Sequence, residues 1–105
     1  MKKLLGLIAA AFLMASLAST SAMADPAKGQ KLYLKKLKKA CGMNGAKMSA
    51  KHSQDEWEAI NSKGGLETEI KTICPNVKGV KAKYLPHLYD FFYEYANDSG
   101  NVPSC

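Results

Sequence analysis

Residues 84–97 read Tyr84-Leu85-Pro86-His87-Leu88-Tyr89-Asp90-Phe91-Phe92-Tyr93-Glu94-Tyr95-Ala96-Asn97, and they contain most of the chain's aromatic residues. At 3.6 residues per turn, this spacing predicts a helix with one broad apolar face. The residues predicted for that face are Leu85, Leu88, Tyr89, Phe92, Tyr93 and Ala96, widened by Tyr84, Phe91 and Tyr95. Because buried aromatic side chains dominate core energetics, we expect this helix to form the main wall of the core.

The chain begins with a segment that is typical of a secretory signal peptide. Met1-Lys2-Lys3 is a basic start, Leu4 to Leu17 is an apolar run, and Ala22-Met23-Ala24 places small residues at the two positions that direct cleavage. The apolar run is shorter than the roughly 20 residues of a transmembrane helix. We therefore expect residues 1–24 to be removed, Asp25 to begin the mature chain, and the protein to reach the periplasm without membrane insertion after cleavage.

Length and charge limit the function classes. Residues 25–105 suit a single domain of about 80 residues, whose core is marginal without reinforcement. The net charge is +6, and every basic residue is a lysine. Since bidentate recognition of phosphates and bases favours arginine, the sequence argues against nucleic-acid binding.

The first mature helix is predicted from about Pro26 to Ala40. Asp25 can cap it, and Pro26 suits the first position, where its missing N–H would be unpaired in any case. The predicted core-facing stripe is Leu32, Tyr33, Leu34, Leu37 and Cys41. The remaining faces carry Lys28, Lys31, Lys35, Lys36, Lys38 and Lys39. These lysines are either a solvated face or a docking patch for an acidic partner, because positive charge speeds encounter with such a partner.

Two further helices precede the aromatic one. Ser53-Gln54-Asp55-Glu56 is a capping box that begins the second helix, and Gly64-Gly65 ends it. Leu66, Ile70 and Ile73 mark a short third helix, which Pro75 breaks. Residues 42–52 are expected to form a loop, and residues 98–105 a non-helical tail. With no strand alternation, the sequence predicts one all-α domain of four helices.

Three mature cysteines, Cys41, Cys74 and Cys105, would meet an oxidising compartment. At least one disulfide is expected, because a small core gains about 2–4 kcal/mol from such a link. Three single pairings are open, and each leaves one cysteine over. Cys41–Cys74 would tie the first helix to the third, whereas a pair that uses Cys105 would pin the tail. No Cys-x-x-Cys motif exists to lower a thiol pKa.

The residues that could hold a metal or a cofactor are few. His52 and His87 are the two histidines, and no Cys/His cluster has the spacing of a zinc site. His52 is also placed for a hydrophobic staple with Trp57. Met43 and Met48 can ligate haem iron, but loop methionines more often fill gaps. No catalytic triad, phosphate-binding glycine loop or carboxylate pair is present, so we expect no catalytic residue, no metal site and no enzyme activity.

The order of several motifs resembles the small class I cytochromes c. The motifs are Gly29-Gln30-Lys31-Leu32-Tyr33, then Cys41 followed by Gly42 and Gly45, then Trp57 in a short helix, then the aromatic helix. The chain with its ending, residues 98–105, also resembles a group of small periplasmic proteins described as cytochrome-like. The resemblance implies a fold in which the N-terminal and C-terminal helices cross through an aromatic contact, and it implies partners among redox proteins.

The haem motif of that family is not present. Residues 38–42 read Lys-Lys-Ala-Cys-Gly, so Lys38 stands at the first cysteine of Cys-x-x-Cys-His and Gly42 stands at the axial histidine. The resemblance therefore implies the fold without covalent haem, and we expect no cofactor.

The sequence leaves three functions open. The first is a haem-less partner-binding module that docks on an acidic periplasmic protein of a redox or respiratory system. The second is an electron carrier that holds haem non-covalently through His52 or His87 and one methionine, Met43 or Met48. The third is a thiol-disulfide protein that uses an exposed cysteine.

Overall fold

The computed structural model describes residues 25–105, which contain helices and no strand. Helix α1 is continuous over residues 26–41 and comprises Pro26–Leu32, a π-helical segment Tyr33–Leu37, and Lys38–Cys41. The other helices are α2 (Gly45–Ser49), α3 (Gln54–Ser62), α4 (Leu66–Ile73) and α5 (Leu85–Glu94), with a 3-10 turn Ala82–Tyr84 before α5. The predicted all-α class is confirmed, and the predicted signal peptide lies outside the described residues. No helix of this part of the chain has both the length and the apolarity to cross a membrane.

The helix boundaries follow the predicted caps in most places. Asp25 Oδ1 accepts the backbone N–H of Ala27 at 2.9 Å, and Pro26 occupies the first turn of α1. The capping box of Ser53 and Glu56 is complete at the start of α3. Gly64, at φ +72°, follows the end of that helix. Local hydrogen bonding at helix ends thus sets the boundaries that the sequence predicts.

Helix α2 lies where the sequence predicts a loop, and that prediction is wrong. The side chain of Asn44 caps α2 by accepting the backbone N–H of Lys47 at 2.8 Å. Asn44 therefore begins a helix, although it can equally serve as a turn residue. A helix this short gains most of its stability from tertiary packing, and here Met48 is fully buried. The domain accordingly has five helices over residues 25–105, where four are predicted.

Helices α1 and α5 make the most extensive helix–helix contact of the described residues. They approach most closely at the buried residue Gly29. A Cβ there would overlap the carbonyl oxygen of His87 and would lie 2.8 Å from Cβ of Phe91. One turn later, the buried ring of Tyr33 lies 6.0 Å from that of Phe91 and 6.3 Å from that of Phe92, between centroids. The first and last helices are therefore packed backbone to backbone, with aromatic rings beside the contact.

The π-helical segment explains which side of α1 faces the interior. Gly29, Tyr33 and Leu37 are buried, and Cys41 is half-buried, so the inward residues are four apart. In a regular α-helix each step of four residues would rotate about 40° past a full turn. The wider π turn, in which Lys38 N–H donates to the carbonyl of Tyr33, takes up part of that drift.

Two residues predicted for the core lie at the surface instead. Leu34 is 39% exposed, because the inward face of α1 follows the four-residue spacing and excludes it. Tyr93 is 36% exposed, whereas Phe91, predicted at the edge of the α5 face, is fully buried against α1. Leu88 and Phe92 of the predicted face are buried, as is Ala96 just beyond the end of α5. Leu85 and Tyr89 of that face are half-buried. Contact with α1 rotates the buried face of α5 towards Phe91.

Trp57 and a disulfide complete the core. The indole of Trp57 stacks on Phe92 with a centroid distance of 4.7 Å and donates to the carbonyl of Ser49 at 2.9 Å. Of the three pairings that the sequence leaves open, Cys41–Cys74 is the one formed, with an S–S distance of 2.11 Å. Cys105 is the free cysteine and is half-buried at the end of the tail.

Gly29→Ala should destabilise the fold, because the new methyl group would overlap the backbone of α5. Overpacking of this kind costs about 1–3 kcal/mol, and backbone is harder to move than a side chain. Urea unfolding followed by the fluorescence of Trp57 measures the change. Gly79→Ala is the matched control, since the nearest atom to its Cβ would be Glu67 Oε2 at 3.6 Å. We expect it to change the free energy of unfolding by at most about 1 kcal/mol. Equal effects of the two substitutions would contradict the close approach at Gly29.

Candidate functional site

The outward side of α1 carries a continuous set of positive charges. We call it the α1 lysine surface, and its members, all exposed, are Lys28, Lys31, Lys35, Lys36, Lys38 and Lys39. Helix α1 contains no acidic residue. The ion pairs found among residues 25–105 both involve His52, so none of these ammonium groups has a carboxylate at ion-pair distance within the described structure. Such a surface presents an unneutralised positive potential to any partner.

An apolar groove opens beside the last turn of α1. This Leu34–Met43 groove has a volume of about 430 Å³ and is lined by Leu34, Lys38, Lys39, Gly42, Met43 and Asn44. Its lining therefore combines a partly exposed leucine and a methionine with two lysines. Binding interfaces commonly combine an apolar centre with a polar rim. The groove and the α1 lysine surface together form the candidate docking site.

Three features hold the floor of this groove in place. Gly42, at φ +70°, turns the chain sharply after α1. The hydroxyl of Tyr33 donates a hydrogen bond of 2.7 Å to the carbonyl of Met43. The disulfide of Cys41 anchors the residue that precedes the turn. Met43 is thus positioned from the core side, and the groove is pre-formed.

The environment of Tyr33 changes its acidity. Burial, followed by the negative charge of Cys105, raises the pKa of Tyr33 to about 12. The phenol therefore stays protonated, and able to donate to Met43, well above neutral pH.

His52, a predicted haem ligand, is engaged with protein groups. Its Nε2 lies 2.8 Å from Oε2 of Glu69 and its Nδ1 lies 3.4 Å from Oε1 of Glu56. Its ring meets Trp57 edge to face at 4.8 Å, which places the two residues as the predicted staple requires. The backbone N–H of Ser53 lowers the pKa of Glu56, and the neighbouring His52 adds to the effect. His52 thus links the start of α3 to α4.

Two other predicted haem ligands, Met48 and His87, have different surroundings. Met48 is fully buried, with its sulfur 3.9 Å from Sγ of Cys74. His87 lies on α5, and its Nδ1 is buried without a hydrogen-bond partner in the described structure. Burial raises the pKa of Asp90, which shares the polar stripe of α5, while His87 opposes the shift. Residues 25–105 contain no group of three or more His, Cys, Asp or Glu side chains that could hold a metal ion.

No predicted pair of iron ligands converges on a groove that we describe. Met43 lines one of the three grooves that we consider on the described residues. His52, His87 and Met48 line none of the three. The predicted docking lysines thus lie together on α1, and no histidine lines the groove that Met43 lines.

The sequence predicts the lysines of this site but misses its apolar centre. Leu34 is assigned to the core when α1 is treated as a regular α-helix. The signal that identifies it as a surface residue is the four-residue spacing of Gly29, Tyr33, Leu37 and Cys41.

Removal of the Tyr33 hydroxyl should change the alkaline stability of the protein. The folded state keeps this proton up to a pKa of about 12, whereas an unfolded tyrosine loses it near pH 10. The unfolded state is therefore favoured progressively as the pH rises between about 10 and 12, and the free energy of unfolding falls. In Tyr33→Phe, the free energy of unfolding should therefore decrease less between pH 10 and pH 12 than in the native protein. At pH 7 the substitution should lower the free energy of unfolding by about 1 kcal/mol, because the hydrogen bond to Met43 is lost.

Urea unfolding of the native protein and of Tyr33→Phe between about pH 9 and pH 12 measures this difference in stability. The pH range covers the pKa of the tyrosine in the unfolded and in the folded state. Tyr84→Phe is the matched control, because it removes the phenol of a tyrosine that is only half-buried. An equal change of slope in both variants would contradict the assignment to Tyr33.

Comparisons of this chain with models of protein families, with curated proteins and with solved structures find no match. The function is consequently argued from the side chains and their geometry.

Proposed function

We propose that this protein is a periplasmic, cytochrome c-like module without covalent haem, which binds an acidic protein of a redox or respiratory system. The single observation that carries the docking role is the exposed Leu34 in a groove edged by lysines that have no acidic partner within the described residues. Charge of one sign brings an oppositely charged partner into encounter, and a desolvated apolar contact then slows its release.

The helix contact supports the cytochrome c-like part of the proposal. The family resemblance implies an aromatic contact between the first and last helices. Gly29 and Tyr33 of α1 lie against Phe91 and Phe92 of α5. A glycine at the closest approach and a tyrosine one turn later agree with the sequence pattern from which the resemblance is drawn.

The sulfur of Cys41 supports the haem-less part. Cys41 is the one residue that matches the cysteines of the haem attachment motif. Its sulfur is bonded to Cys74, so it has no thiol with which to form a thioether. The axial position next to it is Gly42, which has no side chain that could ligate iron.

The absorption spectrum of protein purified from its native periplasm should show no Soret band. Its intact mass should equal that of residues 25–105 with one disulfide and no attached group, because no thiol of the motif is available. The two measurements report haem, processing and disulfide content together. A Soret band that disappears in His52→Ala or His87→Ala would instead establish the carrier that holds haem non-covalently.

Partner binding should depend on specific lysines and on Leu34. A partner captured non-covalently on the native protein from a periplasmic extract should be released at about 0.5 M salt, where screening shortens the reach of surface charges to a few ångströms. In Lys38→Glu/Lys39→Glu and in Leu34→Asp, the affinity for that partner should fall by about tenfold or more.

The matched control is Lys47→Glu/Lys63→Glu, which changes the net charge equally at exposed lysines outside α1. If the control and the groove variants lost the same amount of affinity for the partner, binding would depend on net charge alone. That result would contradict the proposed site. Loss of binding only in Cys105→Ser, with rapid labelling of that thiol, would favour the thiol-disulfide function.

A further inference from the structure

A second apolar groove lies between α1, α5 and the segment that connects α4 to α5. We call it the connector groove. Its volume is about 180 Å³, and its lining includes Leu32, Lys36, Val80, Lys81, Tyr84 and Leu88. It shares no lining residue with the Leu34–Met43 groove. It is therefore a second groove, and Lys36 is the one lining residue that it shares with the docking site described above.

The rim of the connector groove is positive. Lys36 and Lys81 contribute to its lining. The ammonium groups of Lys81 and Lys83 lie 5.9 Å and 5.5 Å from the ring centroid of Tyr84, within the range of a cation–π contact. None of these lysines takes part in the ion pairs of residues 25–105. Positive charge is thus held at the mouth of the groove by lysines that form no ion pair within residues 25–105.

One partly buried hydrogen bond supports the segment between α4 and α5, which forms one wall of the connector groove. Oε2 of Glu67, from α4, accepts the backbone N–H of Val80 at 2.8 Å. The neighbouring Val77 is buried, so the connector is anchored on both sides of Gly79. The carboxylate of Glu67 is occupied by this backbone group, which makes it a structural support of the wall. The groove is therefore formed before any ligand arrives.

The connector also offers backbone donors. The N–H groups of Lys78, Gly79 and Lys81 donate no hydrogen bond within the described residues. All three residues are exposed. Carbonyl or carboxylate oxygens of an extended peptide could accept from them, as occurs when a peptide is recognised through its main chain.

We propose that the connector groove binds an extended acidic peptide segment that inserts one apolar side chain. The volume of the groove is below the roughly 300–1,000 Å³ of pockets that take whole small molecules, so it suits a single side chain. The lysines at its mouth select acidic residues on either side of that anchor. The backbone N–H groups of the connector that donate no hydrogen bond within the described residues favour a peptide with an extended main chain. This site goes beyond the proposed docking of a folded partner on the α1 lysine surface.

The test uses fluorescence anisotropy with the labelled peptide Asp-Glu-Leu-Glu-Asp and the whole protein. The comparison peptides are Asp-Glu-Ser-Glu-Asp, which lacks the anchor, and Lys-Lys-Leu-Lys-Lys, which reverses the charge. We expect the leucine peptide to bind about tenfold more tightly than the serine peptide, and the basic peptide not to bind. Val80→Ser should remove most of the difference between the leucine and serine peptides, because it shortens the apolar wall but keeps the backbone bond to Glu67.

Charge variants locate the site. Lys81→Glu/Lys83→Glu should weaken the leucine peptide by about tenfold, whereas Lys47→Glu/Lys63→Glu, with the same net charge, should not. Leu34→Asp should leave peptide binding unchanged, so failure of this site and failure of the docking site on α1 are told apart. Equal weakening by both lysine pairs, no preference for the leucine peptide, or binding to vesicles of anionic phospholipid in place of the peptide would each overturn the proposal.

Discussion

The absence of a side chain at Gly29 allows α1 to rest directly on the backbone of α5. A methyl group there would overlap the carbonyl of His87, so the two helices could not approach as closely with any other residue. That approach brings the ring of Tyr33 against Phe91 and Phe92, and its hydroxyl donates to the carbonyl of Met43. The turn after α1, and with it the floor of the Leu34–Met43 groove, is therefore positioned by a contact that begins at the opposite end of the same helix.

The register that buries one face of α1 also creates its exposed face. The π-helical segment keeps Gly29, Tyr33 and Leu37 inward and carries Cys41 to the position where it bonds Cys74. The same rotation leaves Leu34 without a place in the core, among lysines that have no acidic partner in the described structure. A surface leucine is unremarkable alone. Here it lies in a groove whose walls are fixed by core contacts, which is why we treat it as part of a binding surface.

Local signals in the sequence are sufficient for the helix ends and for the aromatic wall, because caps, prolines and glycines act within a few residues. Asp25, the box of Ser53 and Glu56, and the buried Leu88 and Phe92 are of this kind. The sequence wrongly predicts Leu34 and Tyr93 to be in the core, because the buried side of each helix depends on how it packs against the other helix. The disulfide pairing is equally open in the sequence, since three cysteines alone permit three pairings. The connector groove cannot be predicted at all, because its wall rests on a bond between Glu67 and Val80 that only the folded chain brings together.

The proposed kinship with cytochromes c can be compared with the way in which the core of this chain is filled. In that family the cysteine after the first helix is committed to the haem, and the haem itself fills part of the interior. In this chain the sulfur of Cys41 is committed to Cys74, and the interior is filled by Met48 and by the stack of Trp57 on Phe92. A domain of about 80 residues has little apolar surface to spare, and here the buried side chains fill the core. The exposed lysines and the grooves beside them are therefore the surface on which we propose that a partner binds.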